Sequence, residues 1–301
     1  MNMKNFVRFF LAVILLAHAV ILSAKEREDV TIPRYSATGE KIADLKVVIF
    51  SPNKEKFRPP YKVVLFTHGG MTDVNFAISK ESIDSQRYSA FFTDQGYVFV
   101  ALMRQGYGGS TGRRMSEDEK RCYREPHANV AEEGALDLDA GLSFIKSDTR
   151  FKESGALPLQ GKGIILSGHS EGGFLALHLG YKHQDAIKGV LAFAPGLAIC
   201  PLVQADVTCT NCVYKSEASY LEEEYWAKLG LSTVPARIIY ASNDPKFPKV
   251  RRDWIRGAYS KSRRNDFVTL ERIWLGNAHY LYDHTSKWEE VAKEFLLRVN
   301  P

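Results

Sequence analysis

The stretch that decides the fold is Ile164-Ile165-Leu166-Ser167-Gly168-His169-Ser170-Glu171-Gly172-Gly173-Phe174. It contains an apolar strand, the pattern Gly-x-Ser-x-Gly and the start of an apolar helix. A serine in this setting lies on a sharp turn with its hydroxyl exposed at the end of the strand. Gly168 and Gly172 flank it because side chains there would collide where strand and helix nearly touch. The stretch predicts a nucleophile elbow centred on Ser170, and the alternative is a glycine-rich turn that happens to hold a serine.

The first 24 residues have the layout of a secretory signal peptide. Lys4 and Arg8 precede an apolar run over residues 9–22, and small residues then lead into a polar segment. We expect cleavage after Ala24 and a protein that is secreted or periplasmic. A retained membrane anchor is the alternative, although the run is shorter than the roughly 20 residues that span a bilayer comfortably.

Composition and charge favour one globular domain over residues 25–301. The chain is 45% hydrophobic and 25% charged, which is ordinary for a protein with a sizeable core. Its net charge is +5, the leader contributes two of those charges, and the remaining basic residues are dispersed. This balance does not indicate a nucleic-acid partner. We therefore expect no nucleic-acid partner, and no stable membrane association once the leader is removed.

The cysteines indicate structural disulfide bonds rather than a metal or redox site. Exported proteins commonly use an even number of cysteines in this way. Zinc would normally need a second pair of ligands at short spacing, and none is present. Sequence does not choose among the three pairings, and we favour one bond within residues 200–212 and one to the remote cysteine. We expect no metal and no cofactor. The four cysteines are Cys122, Cys200, Cys209 and Cys212.

Buried strands and amphipathic helices alternate along the chain after an N-terminal hairpin. The alternation predicts a mostly parallel sheet covered by helices on both faces, an α/β architecture. Right-handed crossovers then place the carboxyl ends of the strands on one edge, where functional groups collect. Residues 197–231 interrupt the rhythm and hold three cysteines, so we predict an inserted cap or flap there. The predicted strands are 30–35, 45–50, 61–67, 97–103, 162–166, 186–194, 236–241 and 267–274; the predicted helices are 85–95, 130–146, 174–180, 250–260 and 286–299.

Two residues that follow predicted strands could activate the serine. An alkyl hydroxyl is almost un-ionised at neutral pH and needs a base, for which histidine is suited. A carboxylate then orients that histidine. Behind an elbow serine the expected chain order is serine, acid, histidine. Asp244 follows the strand over 236–241 and His279 follows the last strand, so we predict a catalytic triad of Ser170, Asp244 and His279.

Other histidines and acids fit this geometry less well. His284 is the nearest rival of His279, five positions further along and at the head of the last helix. His169 is expected to pack or orient its neighbours rather than act as the base. The simpler interpretation of Asp244 is an Asn-Asp-Pro turn or a helix cap. The remaining acids near the end of the chain lie in a helix, before a strand and in a tail: Asp253, Asp266 and Asp283.

The negative charge that develops on a substrate carbonyl needs backbone N–H donors. One donor should be the N–H of Glu171, directly after the nucleophile. The other should come from the loop after the strand over 61–67, which reads His68-Gly69-Gly70-Met71. We assign Gly70 as the second donor and Met71 as the next candidate. The alternative is an ordinary glycine turn.

Four short motifs together resemble the α/β-hydrolase superfamily over almost all of residues 25–301. The resemblance is closest to the branch of dienelactone hydrolases and prolyl-oligopeptidase-type catalytic domains. It implies an α/β-hydrolase domain at 25–301 with a small cysteine-bearing cap at about 197–231. The chain departs from dienelactone hydrolases in its serine nucleophile, and from the lipase HGGG loop in having Met71. The motifs are Gly168-His169-Ser170-Glu171-Gly172, His68-Gly69-Gly70, Asn243-Asp244-Pro245 and Asn277-Ala278-His279, with Arg104-Gln105-Gly106-Tyr107-Gly108-Gly109-Ser110 similar to an R-G-x-G-x-S loop.

The resemblance implies a serine hydrolase of esters or amides, whose substrate would be a small-molecule ester or a short peptide. We expect a carboxylic-ester hydrolase that works through an acyl-enzyme. A serine peptidase is the alternative, since the fold hosts both activities. The run at residues 222–224 of three glutamates could bind the amino group of a peptide, although such a run is usually a solvated helix face. A binding protein without catalysis is the third possibility, but such proteins usually lack one triad residue.

Overall fold

The computed structural model describes residues 26–70, 86–113, 127–196, 217–259, 265–271, 273 and 278–300. Within these ranges, one sheet of eight strands forms the centre of the molecule. Its strands are β1 (Arg27–Tyr35), β2 (Lys41–Phe50), β3 (Tyr61–Thr67), β4 (Tyr97–Leu102), β5 (Leu159–His169), β6 (Ile187–Phe193), β7 (Ala236–Ala241) and β8 (Asn265–Leu270).

The sheet has the order β1-β2-β4-β3-β5-β6-β7-β8. β1, β2 and β4 pair antiparallel, so the predicted N-terminal hairpin is confirmed. From β4 through β3 to β8 every neighbouring pair is parallel. The carboxyl ends of these six strands therefore lie on one edge of the sheet, which is where the candidate site is found.

Helices cover both faces of this sheet, as predicted. Side chains of β3 alternate between two apolar clusters: Val63 and Leu65 belong to one, Val64 and Phe66 to the other. The first cluster includes residues of α2, α3, α4 and α5, and the second those of α1 and α6. The helices are α1 (Gln86–Thr93), α2 (His127–Ser147), α3 (Glu171–Lys182), α4 (Glu217–Leu229), α5 (Lys249–Tyr259) and α6 (Thr285–Val299); Thr149–Phe151 and Ala278–Asp283 are 3-10 helices.

The last strand is shorter than its apolar pattern predicts. β8 ends at Leu270 rather than at residue 274. Its neighbour in the sheet is β7, and Leu270 pairs with Ala241, the last residue of β7. Beyond that point the neighbouring chain turns into a loop and offers no further ladder of backbone groups. The prediction failed because a strand needs a partner as well as apolar residues.

The cap and the disulfide bonds stay predictions. All four cysteines, residues 197–216 and the leader lie outside the described residues. α4 covers the later part of the predicted cap, and its Trp226 is fully buried against Phe174 and Tyr259, with ring centroids 5.0 and 6.0 Å apart. This part of the segment packs onto the body of the molecule. Among the helices that the structure describes, none is both long and apolar enough to cross a membrane.

Candidate active site

Ser170 lies on a sharp turn between β5 and α3, as the sequence predicts for a nucleophile elbow. Its backbone has φ 53° and ψ −122°, a conformation that is rare for a residue with a side chain. Hydrogen bonds hold it there: its N–H donates to Phe193 O at 2.8 Å, and its carbonyl accepts from Phe174 N at 3.0 Å and Gly196 N at 3.1 Å. The turn is therefore fastened to the end of β6 as well as to its own helix.

The two glycines of the elbow are required by close backbone contacts. A Cβ on Gly168 would lie 2.3 Å from Gly172 O, and a Cβ on Gly172 would lie 2.2 Å from His68 O. Both distances are well inside van der Waals contact, and the atoms concerned belong to the backbone and cannot rotate away. The two glycines of the Gly-x-Ser-x-Gly pattern are therefore needed because β5, α3 and the end of β3 approach one another closely.

Gly172→Ala is expected to lower the free energy of unfolding by about 3 kcal/mol or more, because the new methyl group meets the backbone of β3 and His68. Gly257→Ala is the matched control, since Gly257 lies in α5 with nothing within 4 Å of its added Cβ. That variant should gain up to about 1 kcal/mol from helix propensity. Urea unfolding of both proteins checks the pair, and equal effects would contradict the steric argument.

The structure brings the three residues predicted for the triad into one hydrogen-bonded line. His279 Nε2 is 3.1 Å from Ser170 Oγ. His279 Nδ1 is 3.1 Å from Asp244 Oδ2 and 3.2 Å from Asp244 Oδ1. Asp244 is fully buried and His279 nearly so, whereas Ser170 is half-buried. The carboxylate and imidazole are thus shielded from water, and the hydroxyl stands at the accessible end of the line.

Asp244 also caps the turn in which it lies. Its Oδ1 accepts from Lys246 N at 2.8 Å and from Phe247 N at 3.1 Å. The alternative interpretation of Asp244 as a turn residue is therefore correct alongside its contact with His279. Because two backbone N–H groups hold one carboxylate oxygen, the side chain cannot rotate freely away from the imidazole.

Two further residues that the sequence analysis missed fasten the loops carrying the acid and the histidine. Asn243 donates from Nδ2 to Ile273 O at 2.9 Å and accepts from Ile273 N at 3.0 Å, so it pairs with the chain leading to His279. Arg252 is buried and donates to Phe247 O at 2.7 Å and Ser242 O at 3.1 Å. Asn243 could have been identified from its place beside Asp244 in the Asn243-Asp244-Pro245 motif. The sequence offers no such indication for Arg252, a charged residue on the buried face of α5.

The rivals of the chosen residues lie elsewhere. His284 is the residue before α6, and its backbone N–H donates to Leu281 O at 2.9 Å, whereas His279 is the histidine beside Ser170. Asp253 is exposed and pairs with Lys249 on α5. The side chains of Asp266 and Asp283 are outside the described part of the structure.

His169 binds the backbone of His279, while the His279 side chain is the one that contacts Ser170. Its Nε2 donates to the His279 carbonyl at 2.7 Å, and the two rings lie 4.8 Å apart. The ring also packs against Tyr282 at 4.6 Å. Burial lowers the pKa of His169 well below its usual value, and the neighbouring His279 lowers it further. The imidazole of His169 is therefore neutral at ordinary pH, as its packing role requires.

The depressed pKa of His169 predicts that the protein loses stability in acid. Below about pH 6.5 the unfolded chain binds a proton at this histidine that the folded chain does not. The free energy of unfolding therefore decreases as the pH is lowered. The maximum slope is about 1.4 kcal/mol per pH unit for one histidine. His169→Gln should flatten that fall between pH 6.5 and 5, measured by urea unfolding at several pH values. An unchanged slope would contradict the assignment.

The loop after β3 lies beside the elbow, and a buried ion pair joins the elbow to the segment after β4. Added Cβ atoms on Gly69 and Gly70 would lie 3.1 Å from Ser170 Cβ and 2.5 Å from Glu171 Oε2, respectively. The Glu171 carboxylate forms an ion pair with the Arg104 guanidinium. Burial alone would lower the pKa of Arg104, but the charge of Glu171 helps to outweigh it and the pKa is raised. Met71, the alternative to Gly70 as the second oxyanion donor, lies outside the described residues.

No cluster of three or more His, Cys, Asp or Glu side chains suited to a metal ion occurs in the described part of the chain.

No protein-family model and no curated protein sequence matches this chain. Solved structures do match. An esterase from Pyrococcus furiosus has a TM-score of 0.57 and 17% identity, with 92% of each chain covered. Est1E from Butyrivibrio proteoclasticus, solved with ferulic acid bound, has a TM-score of 0.54 and 16% identity, with 85% of this chain and 95% of that chain covered. The chain has the α/β-hydrolase fold.

A larger protein shares this α/β-hydrolase fold. An acylaminoacyl peptidase from Pyrococcus horikoshii has a TM-score of 0.59 and 15% identity over 93% of this chain, which corresponds to 43% of the peptidase chain. At such identities the likeness establishes the fold, and activity has to be argued from the site. In this α/β-hydrolase fold Ser170 follows β5, Asp244 follows β7 and His279 lies in the 3-10 helix after β8.

Proposed function

We propose that this protein is a serine hydrolase that cleaves a carboxylic ester through an acyl-enzyme, with Ser170 as nucleophile, His279 as base and Asp244 as the acid that orients it. The observation that carries the proposal is the hydrogen-bonded line from Asp244 through His279 to Ser170, with distances of 3.1 Å at each step. Nucleophile, base and orienting carboxylate within hydrogen-bond reach are the arrangement that activates a serine hydroxyl.

The reaction follows from this line. Ser170 Oγ attacks the ester carbonyl as its proton passes to His279 Nε2, and the bond between carbon and the alcohol oxygen then breaks as His279 returns the proton to the departing alcohol. A water molecule then gives a proton to His279 and attacks the acyl carbon. The bond from that carbon to Ser170 Oγ breaks, the acid leaves, and His279 returns the proton to Ser170. Asp244 keeps the proton of the resting imidazole on Nδ1, so that Nε2 can accept.

The oxyanion in this proposal is held by the N–H groups of Glu171 and Gly70. Glu171 is the first residue of α3, where backbone N–H groups have no helical acceptor and the helix dipole favours negative charge. Gly70 lies across from it, close enough that a Cβ there would touch the Glu171 side chain. Such donors each contribute roughly 3 to 4 kcal/mol of transition-state stabilisation in serine hydrolases.

The similar structures favour an ester over an amide. The Pyrococcus furiosus protein is an esterase, and Est1E binds ferulic acid, a carboxylic acid of the kind that ester hydrolysis releases. Peptide hydrolysis is the second candidate, because an acylaminoacyl peptidase shares the fold. Glu223 and Glu224 on α4 are exposed, as expected for a solvated helix face rather than a buried amine-binding site.

A substrate panel tests this proposal. p-Nitrophenyl esters with acyl chains of two to twelve carbons should be hydrolysed, whereas aminoacyl p-nitroanilides should be cleaved far more slowly. A fluorophosphonate probe should label the protein at Ser170. Faster cleavage of the anilides would favour the peptidase, and a protein that neither labels nor cleaves any ester would be a binding protein on a hydrolase scaffold.

We also propose that the enzyme is exported and acts as a single domain over residues 25–301. The support is the leader over residues 1–24, with its two basic residues and its apolar run. Expression with the native leader should yield a chain in the extracytoplasmic fraction that begins at Lys25 by N-terminal sequencing. An intact Met1 in the membrane fraction would instead identify the leader as a retained anchor.

A further inference from the structure

Arg104 and Glu171 form an ion pair in the interior, at the edge of the sheet that holds the candidate site. Arg104 is fully buried and Glu171 is 5% exposed. A buried ion pair is usually no more stabilising than apolar residues of similar size, because both charges lose their hydration. Stability alone therefore does not account for this ion pair. It lies beside Ser170 and Gly70, which points to a role in the candidate site.

The guanidinium of Arg104 joins the two backbone segments that would carry the oxyanion donors. One arm binds the Glu171 carboxylate, on the residue whose own N–H is the first proposed donor. The other arm donates to the His68 carbonyl at 3.2 Å, two residues before Gly70. The backbone N–H of Arg104 also donates to His68 Nε2 at 3.2 Å. A single residue thus bridges the start of α3 and the loop after β3.

The local surroundings leave this bridge little freedom. The His68 ring is fully buried, with its Nδ1 bonded to Gly69 O at 2.7 Å, and it packs on Tyr107 with ring centroids 4.6 Å apart. The guanidinium of Arg104 lies 5.2 Å from the centre of the same Tyr107 ring. Both ends of the bridge, His68 and the Arg104 guanidinium, therefore pack on Tyr107, which restricts their movement.

We propose that Arg104 is a positioning residue: through Glu171 and His68 it sets the separation of the Glu171 and Gly70 N–H groups that receive the oxyanion. This inference rests on the proposed function and adds a residue that does not touch substrate. Oxyanion donors act only when they point at the place where the charge develops, so a shift of about 1 Å in one of them costs turnover rather than substrate binding.

The test compares Arg104→Gln, Arg104→Lys, Glu171→Gln and the double variant Arg104→Gln/Glu171→Gln. We expect each to lower kcat about 10- to 100-fold with KM changed by less than about threefold, and to weaken binding of a trifluoromethyl ketone in parallel. This inhibitor forms a tetrahedral oxyanion on serine. The double variant should be no worse than Arg104→Gln, because the two residues act as one unit. It is also the variant best able to fold, since it leaves no uncompensated buried charge.

Arg104→Lys separates geometry from charge. A lysine keeps the positive charge but offers a single ammonium that cannot bind Glu171 and His68 O in the forked geometry of arginine. It should therefore resemble Arg104→Gln in kcat. Wild-type kcat in Arg104→Lys would overturn the bridge, as would a loss confined to KM in any of the variants.

Arg237→Gln is the matched control. Arg237 is another buried arginine, 3% exposed and 3.5 Å from Glu294, near the start of β7 at the opposite edge of the sheet. It should lose stability but keep kcat and inhibitor affinity. Equal losses in Arg237→Gln and Arg104→Gln would show a general effect of removing a buried arginine and would overturn the proposal.

Hydrogen exchange separates this inference from the proposed function. Peptides that cover His68 to Gly70 and the start of α3 should exchange faster in Arg104→Gln than in the wild type, whether or not the test ester is cleaved. An inactive wild-type protein would refute the hydrolase proposal and leave the exchange result standing on its own. An active wild type with unchanged exchange, kcat and inhibitor affinity in Arg104→Gln would refute only the positioning role.

Discussion

Ser170→Ala is expected to lower kcat on a p-nitrophenyl ester by at least about 10⁴-fold while leaving the fold intact. The variant removes the Ser170 Oγ atom, which lies 3.1 Å from His279 Nε2. It leaves the turn undisturbed, because Ser170 is held through its backbone bonds to Phe193, Phe174 and Gly196. The smaller side chain also meets no new atoms in the unusual backbone conformation. Fluorophosphonate labelling should disappear together with turnover.

Ser167→Ala is the matched control, three residues earlier and within β5. Ser167 is fully buried, donates to Leu191 O at 2.7 Å and accepts from the Tyr88 hydroxyl at 2.6 Å. Its loss should cost about 1 to 3 kcal/mol of unfolding free energy, because a buried hydroxyl partner is removed, and should leave kcat nearly unchanged. The two serines should thus show opposite patterns. Turnover or labelling that survives in Ser170→Ala would refute the proposed nucleophile.

Asp244→Asn is expected to lower kcat by about 10³- to 10⁴-fold with only a small loss of stability. The backbone N–H groups of Lys246 and Phe247 bind Oδ1, and they should hold the amide oxygen of asparagine in that place. The amide NH₂ then faces His279 Nδ1, where Oδ2 lies 3.1 Å away in the native protein. It would donate to Nδ1 and leave the proton of the imidazole on Nε2, which could no longer accept from Ser170.

Asp244→Ala distinguishes the catalytic contact from the cap. Alanine loses both the contact with His279 and the cap of the turn, so it should cost about 1 to 2 kcal/mol more stability than asparagine. Its kcat should fall about as far as that of Asp244→Asn. Thermal unfolding and steady-state kinetics of the two variants check this separation. An Asp244→Asn enzyme with kcat within tenfold of the wild type would remove Asp244 from the proposed mechanism.

The sequence predicted the central strands well because they are buried on both faces. β7 has the predicted bounds, and all of its residues are buried. The length of β8 was overestimated because β8 lies at the edge of the described sheet, where the length of β7 sets how far pairing extends. The elbow strand was underestimated, since β5 begins at Leu159, before the apolar residues that mark it. A buried strand is recognised by its apolar residues, whereas the extent of its hydrogen-bonded pairing depends on a segment that is distant in sequence.

The residues of the candidate site divide in the same way. Ser170, Asp244 and His279 could be named from sequence because each follows a strand that ends at one edge of the sheet. The roles of Asn243 and Arg252 could not be recognised. These residues bind backbone groups of loops, and the residues of a loop do not by themselves predict the path of its backbone. The assignment of Glu171 from sequence concerned its N–H alone, and gave no reason to expect that its side chain pairs with Arg104.

The sequence by itself determined the elbow, the alternation of strands and helices and the three residues at the strand ends, because steric limits at a turn and the periodicity of burial act over a few neighbouring residues. Only the tertiary structure decided which distant groups meet. The bridge from Arg104 to Glu171 and His68 joins positions separated by 67 and 36 residues. Such contacts arise because β4, β3 and β5 lie side by side in the sheet, and no local pattern specifies them.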